Sequence, residues 1–345
     1  MYRKLRRSVN RSLTLARNLA GFRLHGADLG PSMRAMQYRR YGEPPTLVDL
    51  PVPTPGKGEV LVRVSCASVN PVDWKKASGT IRFIMPVKLP CTPGFDLAGV
   101  VEAVGPGAPE FSVGMRVHTR LSGQNGGASA EYAVCGIDVL APMPAAMDFA
   151  SAAGLPLAGM TALQGLRDEA GMPMTGASER VLVVGASGGV GHLAVQIARA
   201  AGATVIGVCS GKNAGLVRDL GAHEVIDYRA ADPFAALAPV DIVLDCVGGP
   251  PAPWLPLLKE KGRFASTTAG VAVVLRTGLN ILTSKRVRPV LLKSNSADLR
   301  VLNALFEAGK LRVVVDARYP LADLNAAWDQ SKAGRTAGKI VVDVA

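Results

Sequence analysis

An apolar, β-branched run, Val181 to Val184, stops against a glycine cluster, Gly185-Ala186-Ser187-Gly188-Gly189-Val190-Gly191. A helical pattern runs from there to Gly202, and a second apolar run follows, Thr204 to Val208. Strand, tight turn, helix, turn and strand in that order make a βαβ unit, which commits the surrounding chain to a parallel sheet covered by helices. Its first turn is the kind that seats a pyrophosphate on a helix N-terminus, where a Cβ would hold the backbone away from the phosphate oxygens. The motif is A-x-G-x-x-G, with Ala186 where a glycine usually stands, so its weight rests on the strand before it and the helix after it. Ser187, Gly188, Gly189, Val190 and Gly191 are the expected phosphate contacts. The competing reading, a glycine-rich connection that binds nothing, leaves so many destabilising glycines at one turn without a purpose.

The end of the second strand selects the dinucleotide. An Asp or Glu there would hydrogen-bond the ribose 2′-hydroxyl of NAD, but the chain reads Cys209-Ser210-Gly211-Lys212-Asn213. The hydroxyl of Ser210, the ammonium of Lys212 and the amide of Asn213 suit a 2′-phosphate, so NADPH is the expected cofactor.

Bulk composition narrows the class. At 345 residues the chain can hold two domains, and 48% apolar residues mark it as globular despite 38 glycines and 24 prolines. Its five cysteines lie far apart without a C-x-x-C pair, which implies a reducing compartment and no disulfide framework. The net charge of +12 invites a nucleic-acid reading, yet residues 1–40 hold ten bases and one acid, leaving 29 bases and 26 acids for the rest. A near-neutral body with 5% aromatic residues lacks the basic groove and stacking rings of an RNA binder. The first 32 residues, basic and without an acid before Asp28, read in three ways. They are an organellar transit peptide (chloroplast or mitochondrion), a basic amphipathic segment lying on an anionic membrane, or residues upstream of a cytoplasmic chain that starts at Met33 or Met36. The best apolar run, Ala269 to Thr283, is interrupted by Arg276 and Asn280 and does not read as a membrane span.

From Met33 to about Leu155 the pattern is short strands and Gly/Pro turns. Strands are expected at Met36–Tyr38, Thr46–Asp49, Glu59–Ser68, Leu97–Val104, Arg116–His118 and Ala130–Val134, a β-barrel-like domain. From about Pro156, helices over 159–169, 190–201, 213–220, 232–237 and 253–260 alternate with strands over 181–185, 204–208, 224–226, 241–245 and 263–267. That alternation predicts a doubly wound parallel sheet, extended by a strand at Arg288–Leu292 and a helix at Ala297–Ala308. After Leu311 come a strand, a helix (Leu321–Lys332) and a last strand, Lys339–Val344, expected to return to the first domain.

An ordered set of motifs runs through the chain: ASVNPVDWKKASG at 67–79, PCTPGFDLAGVVEAVG at 90–105, AAGLPLAGMTAL at 152–163, GASGGVG at 185–191, DCVGG at 245–249 and AGKIVVDV at 337–344. Together they resemble the medium-chain dehydrogenase/reductase superfamily, and within it the zinc-free quinone oxidoreductase branch; VNPVDWK and the final GKIVV are especially similar to those of plant quinone and enone reductases. The resemblance implies an α/β chain with a GroES-like, β-barrel-type substrate domain (33–155, completed by 311–345) and a doubly wound Rossmann domain (156–310).

It also implies a site. Asn70, Asp73 and Lys75 belong to a loop that the family places at the cleft. There Asn70 would donate to an enolate oxygen or the nicotinamide ribose, Lys75 would reach the cofactor phosphates, and Asp73 would orient Lys75. The bland alternatives are an Asx-turn for Asn70 and a solvated surface lysine for Lys75. Thr161 would lie near the nicotinamide, unless it is an ordinary helix residue, and Tyr228 near the 2′-phosphate, unless it is a half-buried strand-end tyrosine. Val247, Thr267 and Thr268 end parallel strands at the edge where such sheets bind ligands, and Arg335 is a late-loop candidate for cofactor contact.

Zinc alcohol dehydrogenases of the superfamily carry Gly-His-Glu where Gly94-Phe95-Asp96 stands, and a ligand cysteine where Asn70-Pro71-Val72-Asp73 stands. No two of the four histidines form a ligand-like pair, so no metal is expected. Hydride addition to an enone, enal or quinone is then the expected chemistry, with the α-carbon proton taken from water. The alternative is an NADPH-binding partner or peripheral membrane protein with little turnover. Monomer and homodimer are both open.

Overall fold

A computed structural model describes residues 31–268 and 270–344. The basic extension that drew the transit-peptide reading therefore lies, up to residue 30, outside the described residues.

The first sheet is organised by one long strand. A hairpin of β1 (Ser32–Gln37) and β2 (Thr46–Pro51) precedes β3 (Glu59–Val69), eleven residues with Val60, Val62 and Val64 fully buried. Along one edge β3 pairs antiparallel with β4 (Asp96–Val104), which in turn carries β5 (Arg116–Arg120) and β7 (Leu140–Pro142). Its other edge is shared: β6 (Tyr132–Gly136) takes residues 59–63, and β15 (Lys339–Asp343) takes Cys66 to Val69. The last strand therefore closes on the start of the fold, with β14 (Val315–Pro320) parallel beside it and helix α8 (Leu324–Lys332) packed across both.

The second sheet is parallel throughout. Its order is β10 (Glu224–Asp227), β9 (Thr204–Cys209), β8 (Arg180–Val184), β11 (Val240–Asp245), β12 (Leu258–Ser266) and β13 (Arg286–Pro289). Read in chain order this is the 3-2-1-4-5-6 arrangement of dinucleotide-binding sheets, with the reversal between β8 and β11. Val181 to Val184 and Ile242 to Leu244 are buried on both faces, as strands between two helical layers must be.

Seven further helices stand among the described residues. α1 (Pro71–Ala77) starts from Asn70 with proline in its first turn, where the missing N–H costs nothing. α2 (Phe149–Gly154) is capped by Asp148, which accepts from the Ser151 N–H. α3 (Pro156–Gln164) follows at once and runs into a wider turn, Gly165–Glu169. α4 (Gly191–Ala201) leaves the glycine turn and ends on Gly202 at φ +106°, a left-handed cap. α5 (Ala214–Asp219), α6 (Val271–Gly278) and α7 (Ser296–Glu307) are the remaining three. No described helix is long and apolar enough to cross a membrane.

Two expected helices are absent. Residues 232–237 form turns, and 253–260 form a short 3-10 turn at Leu255–Leu257 that passes straight into β12. Pro256 removes an amide donor that a helix there would need, and Pro253 precedes it at the start. The strand expected at Arg288–Leu292 lies two residues earlier, and α1, α2, α6 and β7 were not anticipated.

Candidate active site

The glycine turn between β8 and α4 is held by close backbone contact. Gly185 has φ +73°, and a Cβ on it would press on Val247; a Cβ on Gly191 would collide with the Gly185 carbonyl. Gly191 thus lets α4 lie directly on the turn. Ala186 fits where a glycine is customary because it faces Gly207 of β9, which offers no side chain. Among the described residues the N–H groups of Gly189 and Val190 have no hydrogen-bond partner, which leaves them free for phosphate oxygens at the positive end of α4. His192 braces the turn from below. Its Nδ1–H donates to the Gly188 carbonyl, its Nε2 accepts from the Val314 N–H, and burial pushes its pKa down to about 4.

Two more loops are fastened to this turn. Asn213 Nδ2 donates to Ser187 Oγ (2.9 Å), and the Gly338 N–H donates to the Ser187 carbonyl (2.8 Å). The second bond brings the exposed Arg335 loop to the cofactor turn, while Arg335 itself has no ion pair among the described residues. At the end of β9, Ser210 is buried and Lys212 exposed. Asp227, unremarked in the sequence reading, sits against Gly211, close enough that a Cβ there would lie 2.5 Å from its Oδ2. Next to it Tyr228 is half-exposed, with the Arg229 guanidinium 5.4 Å from its ring centre. Two cations, Lys212 and Arg229, and one carboxylate thus stand just after β9 and at the end of β10.

The far wall is the C-terminal edge of β11 and β12. Asp245 Oδ1 accepts from the N–H groups of Val247 and Gly248, and its Oδ2 from Ser266 Oγ. These bonds fix Val247, exposed, beside Gly185 and place Thr267 and Thr268 one strand over.

A buried polar network stands where the two sheets meet. Asp96, at the start of β4, is fully enclosed and accepts from Ser68 Oγ (3.1 Å), Asn70 Nδ2 (2.9 Å) and the Leu157 N–H at the start of α3 (3.0 Å). Lys339 Nζ donates to Asn70 Oδ1 (2.6 Å) and the Val69 carbonyl (3.3 Å), and lies 4.0 Å from Asp96. The Lys339 stem also borders the phosphate turn, since a Cβ on Gly189 would lie 3.5 Å from it. One side chain thereby links cofactor turn, Asn70 and Asp96. Burial pushes Asp96 up and Lys339 down, and their mutual attraction opposes both shifts. Neither residue was expected as a site residue; the available signal was a lysine opening a strand whose next three residues are apolar.

Asp73 is also enclosed. Its Oδ2 accepts from the Asn70 N–H (2.7 Å), and its Oδ1 has no partner. Burial is the main cause that pushes its pKa up to about 7; Asp96 adds to this, while the Asn70 N–H, Lys339 and Arg120 pull the other way. The expectation that Asp73 orients Lys75 fails. The carboxyl turns inward to cap α1, while the half-buried Lys75 lies over the Trp74 ring at 5.4 Å. Thr161 is buried one turn beyond the Asp96 anchor and donates its hydroxyl hydrogen to the Leu157 carbonyl (2.6 Å).

Against known proteins, residues 56–145 match the family described as alcohol dehydrogenase GroES-like domain, and residues 220–342 the one described as zinc-binding dehydrogenase. The chloroplast envelope quinone oxidoreductase homolog of Arabidopsis thaliana is 38% identical over 326 residues, covering 91% of this chain and 99% of that one. The chain belongs to the medium-chain dehydrogenase/reductase superfamily. It is an oxidoreductase that works with a nicotinamide cofactor. The NADPH-dependent alkenal/one oxidoreductase of the same plant is 33% identical over 330 residues, 92% of this chain and 81% of that one. The structure of the quinone oxidoreductase from Coxiella burnetii superposes with a TM-score of 0.83 at 30% identity, covering 91% of this chain and 100% of that one.

Zinc, which one family description names, does not fit the described residues. The carboxylate of Asp96 is engaged by three donors with an ammonium alongside, and His118 Nδ1 is bonded to the Ala152 carbonyl. A divalent cation beside Lys339 would meet like charge and no free ligand set, and no group of three or more His, Cys, Asp or Glu among the described residues could hold one.

Proposed function

We propose that this oxidoreductase reduces α,β-unsaturated carbonyls or quinones with NADPH. In this reading residues 156–310 hold the cofactor, and residues 33–155 with 311–345 form the substrate side. The observation that carries the proposal is the Lys339–Asn70–Asp96 network, which puts hydrogen-bond donors beside the cofactor turn in an enclosed setting. The bound nicotinamide supplies a hydride.

The protein's residues do the rest. Gly189 and Val190 N–H groups, with the α4 dipole, hold the pyrophosphate, and Lys212, Arg229 and Ser210 meet the 2′-phosphate. Asn70 gives one amide hydrogen to Asp96 and keeps the other for the acceptor's carbonyl oxygen or the ribose. As hydride reaches the β-carbon, the electron pair moves to that oxygen, and the resulting enolate takes its α-carbon proton from water. Donors fixed before the reaction cost no reorganisation during it. The names of the Arabidopsis relatives support both acceptor classes. Relatives named as chloroplastic or mitochondrial favour an organellar setting for this chain too.

Mixing the protein with NADPH and a panel of short and long enones, enals and quinones tests the reading. Oxidation of NADPH by at least one acceptor is expected; tight NADPH binding without turnover on any acceptor would refute it and leave a binding protein.

A further inference from the structure

Two cations lie over one buried ring beside the Asp96 network. Lys76, in the last turn of α1, holds its Nζ 5.2 Å from the centre of the Phe95 ring, and the Arg120 guanidinium lies 5.0 Å from the same centre. Phe95 is 1% exposed and Lys76 3%. Arg120 ends β5, across from Asp96 in the strand register, and is half-buried, which leaves part of its side chain accessible. Its Nη1 donates to Ser294 Oγ in the loop after β13, and the Gln164 amide fixes that loop through the neighbouring Lys293 backbone. Arg120 therefore bridges the seam between the two sheets, where Asn70 also stands.

The cluster holds more donors than the protein satisfies. Among the described residues Lys76 Nζ has no hydrogen-bond acceptor, Arg120 Nε is enclosed without a partner, and the bond to Ser294 is the only one its guanidinium makes. The two cations also repel each other. The nearby carboxylates are committed elsewhere. Asp96 accepts from Ser68, Asn70 and Leu157 with Lys339 alongside, and Asp73 gives its Oδ2 to the Asn70 N–H. Neither forms an ion pair with Lys76 or Arg120. Enclosed cations without acceptors are costly, and a ligand that brings two oxygens in one plane relieves that cost. A guanidinium fork takes a carboxylate through two parallel bonds, and the ammonium adds a third donor. A neutral quinone or enone would meet one donor with its carbonyl oxygen and leave the others bare. We infer that Lys76 and Arg120 form a carboxylate-recognising subsite of the acceptor pocket, so that the preferred acceptors are conjugated carbonyl compounds bearing an acid group. The inference rests on the acceptor reading proposed above and adds a charge to it.

Rates of NADPH oxidation on paired acceptors test this, using straight-chain enones of increasing length that end in a carboxylate, each beside its methyl ester. For at least one length the parent favours the acid by about tenfold or more in kcat/KM. Arg120→Gln and Lys76→Met each lower that acid-over-ester ratio by about tenfold, mainly through the KM of the acid, and Arg120→Lys, which keeps the charge but loses the fork, retains part of it. A second measurement needs neither turnover nor a variant. Saturated keto acids of the same lengths raise the melting temperature of the parent more than their methyl esters do. An ester reduced as well as its acid at every length would overturn the inference and leave the acceptor reading intact, as would a ratio that both variants keep. If no acceptor of either kind is reduced, the acceptor reading itself has failed, and equal melting shifts with keto acid and ester would then overturn the subsite as well.

Discussion

The glycine turn and the Lys339 network lie against each other, yet they are built on opposite plans. The turn comes from seven consecutive residues, presents unpaired backbone N–H groups, and requires mainly that side chains be missing. The network comes from the ends of three strands, joins side chains 269 residues apart, and requires charged groups to be enclosed. A local device tolerates replacement wherever a neighbour yields space, as Ala186 does opposite Gly207. A long-range buried device has no such slack, because each member is satisfied only by the others.

The sharpest way to break this contrast is Lys339→Met. Removing the ammonium leaves the Asp96 carboxylate and Asn70 Oδ1 buried with fewer partners, and a loss of about 3–5 kcal/mol is expected in denaturant unfolding. Adding Asp96→Asn should recover part of that loss, since the two effects are coupled; simple additivity would show that the network does not act as a unit. On the local side, Gly191→Ala forces a Cβ onto the Gly185 carbonyl, and about 1–3 kcal/mol of destabilisation together with weakened NADPH binding is expected. If Gly189→Ala, whose Cβ has room, costs as much, the turn is not limited by close approach.

Lys212→Asp is expected to weaken NADPH by about tenfold or more while barely moving NADH, measured by titration of the cofactor fluorescence. Equal effects on both would transfer the selection to Arg229. The last prediction is a pH slope. Because the Asp73 carboxyl is raised from the usual range near about 4 to about 7, the folded state holds a proton that the unfolded state has lost. Stability from this group is present at low pH and falls as pH rises through that window. His118 and His192, both held neutral with pKa values near 4, contribute the opposite slope between there and the ordinary imidazole value. Asp73→Asn isolates the carboxyl. Its melting temperature should rise relative to the parent's as pH increases from about 4 to about 7, and a difference that does not vary with pH would show that Asp73 is charged throughout.

Much of this was legible beforehand, and the reason is range. The alternation of strands and helices after Pro156, and the glycine turn, are patterns within a dozen residues, where periodicity and conformational freedom act directly. The misread stretches are those where one local signal outweighed another. At 253–260 the alternation suggested a helix that Pro253 and Pro256 disfavour, and the run read against a membrane span contains α6, Val271–Gly278, with its apolar stripe outward. Asp73 shows the limit for side chains: the family resemblance implied that it orients Lys75, whereas α1 turns the carboxyl into the protein.

The sequence by itself determined that a parallel sheet would seat a dinucleotide, that Gly191 had to be small, and that the chain's motifs belong to a known superfamily. Only the tertiary structure decided that Lys339, Asn70 and Asp96 meet, that Asp227 sits against Gly211, and that the face of α6 points outward. Backbone geometry is written in neighbouring residues. Burial, charge pairing and the direction of a helix face depend on what the rest of the chain brings alongside.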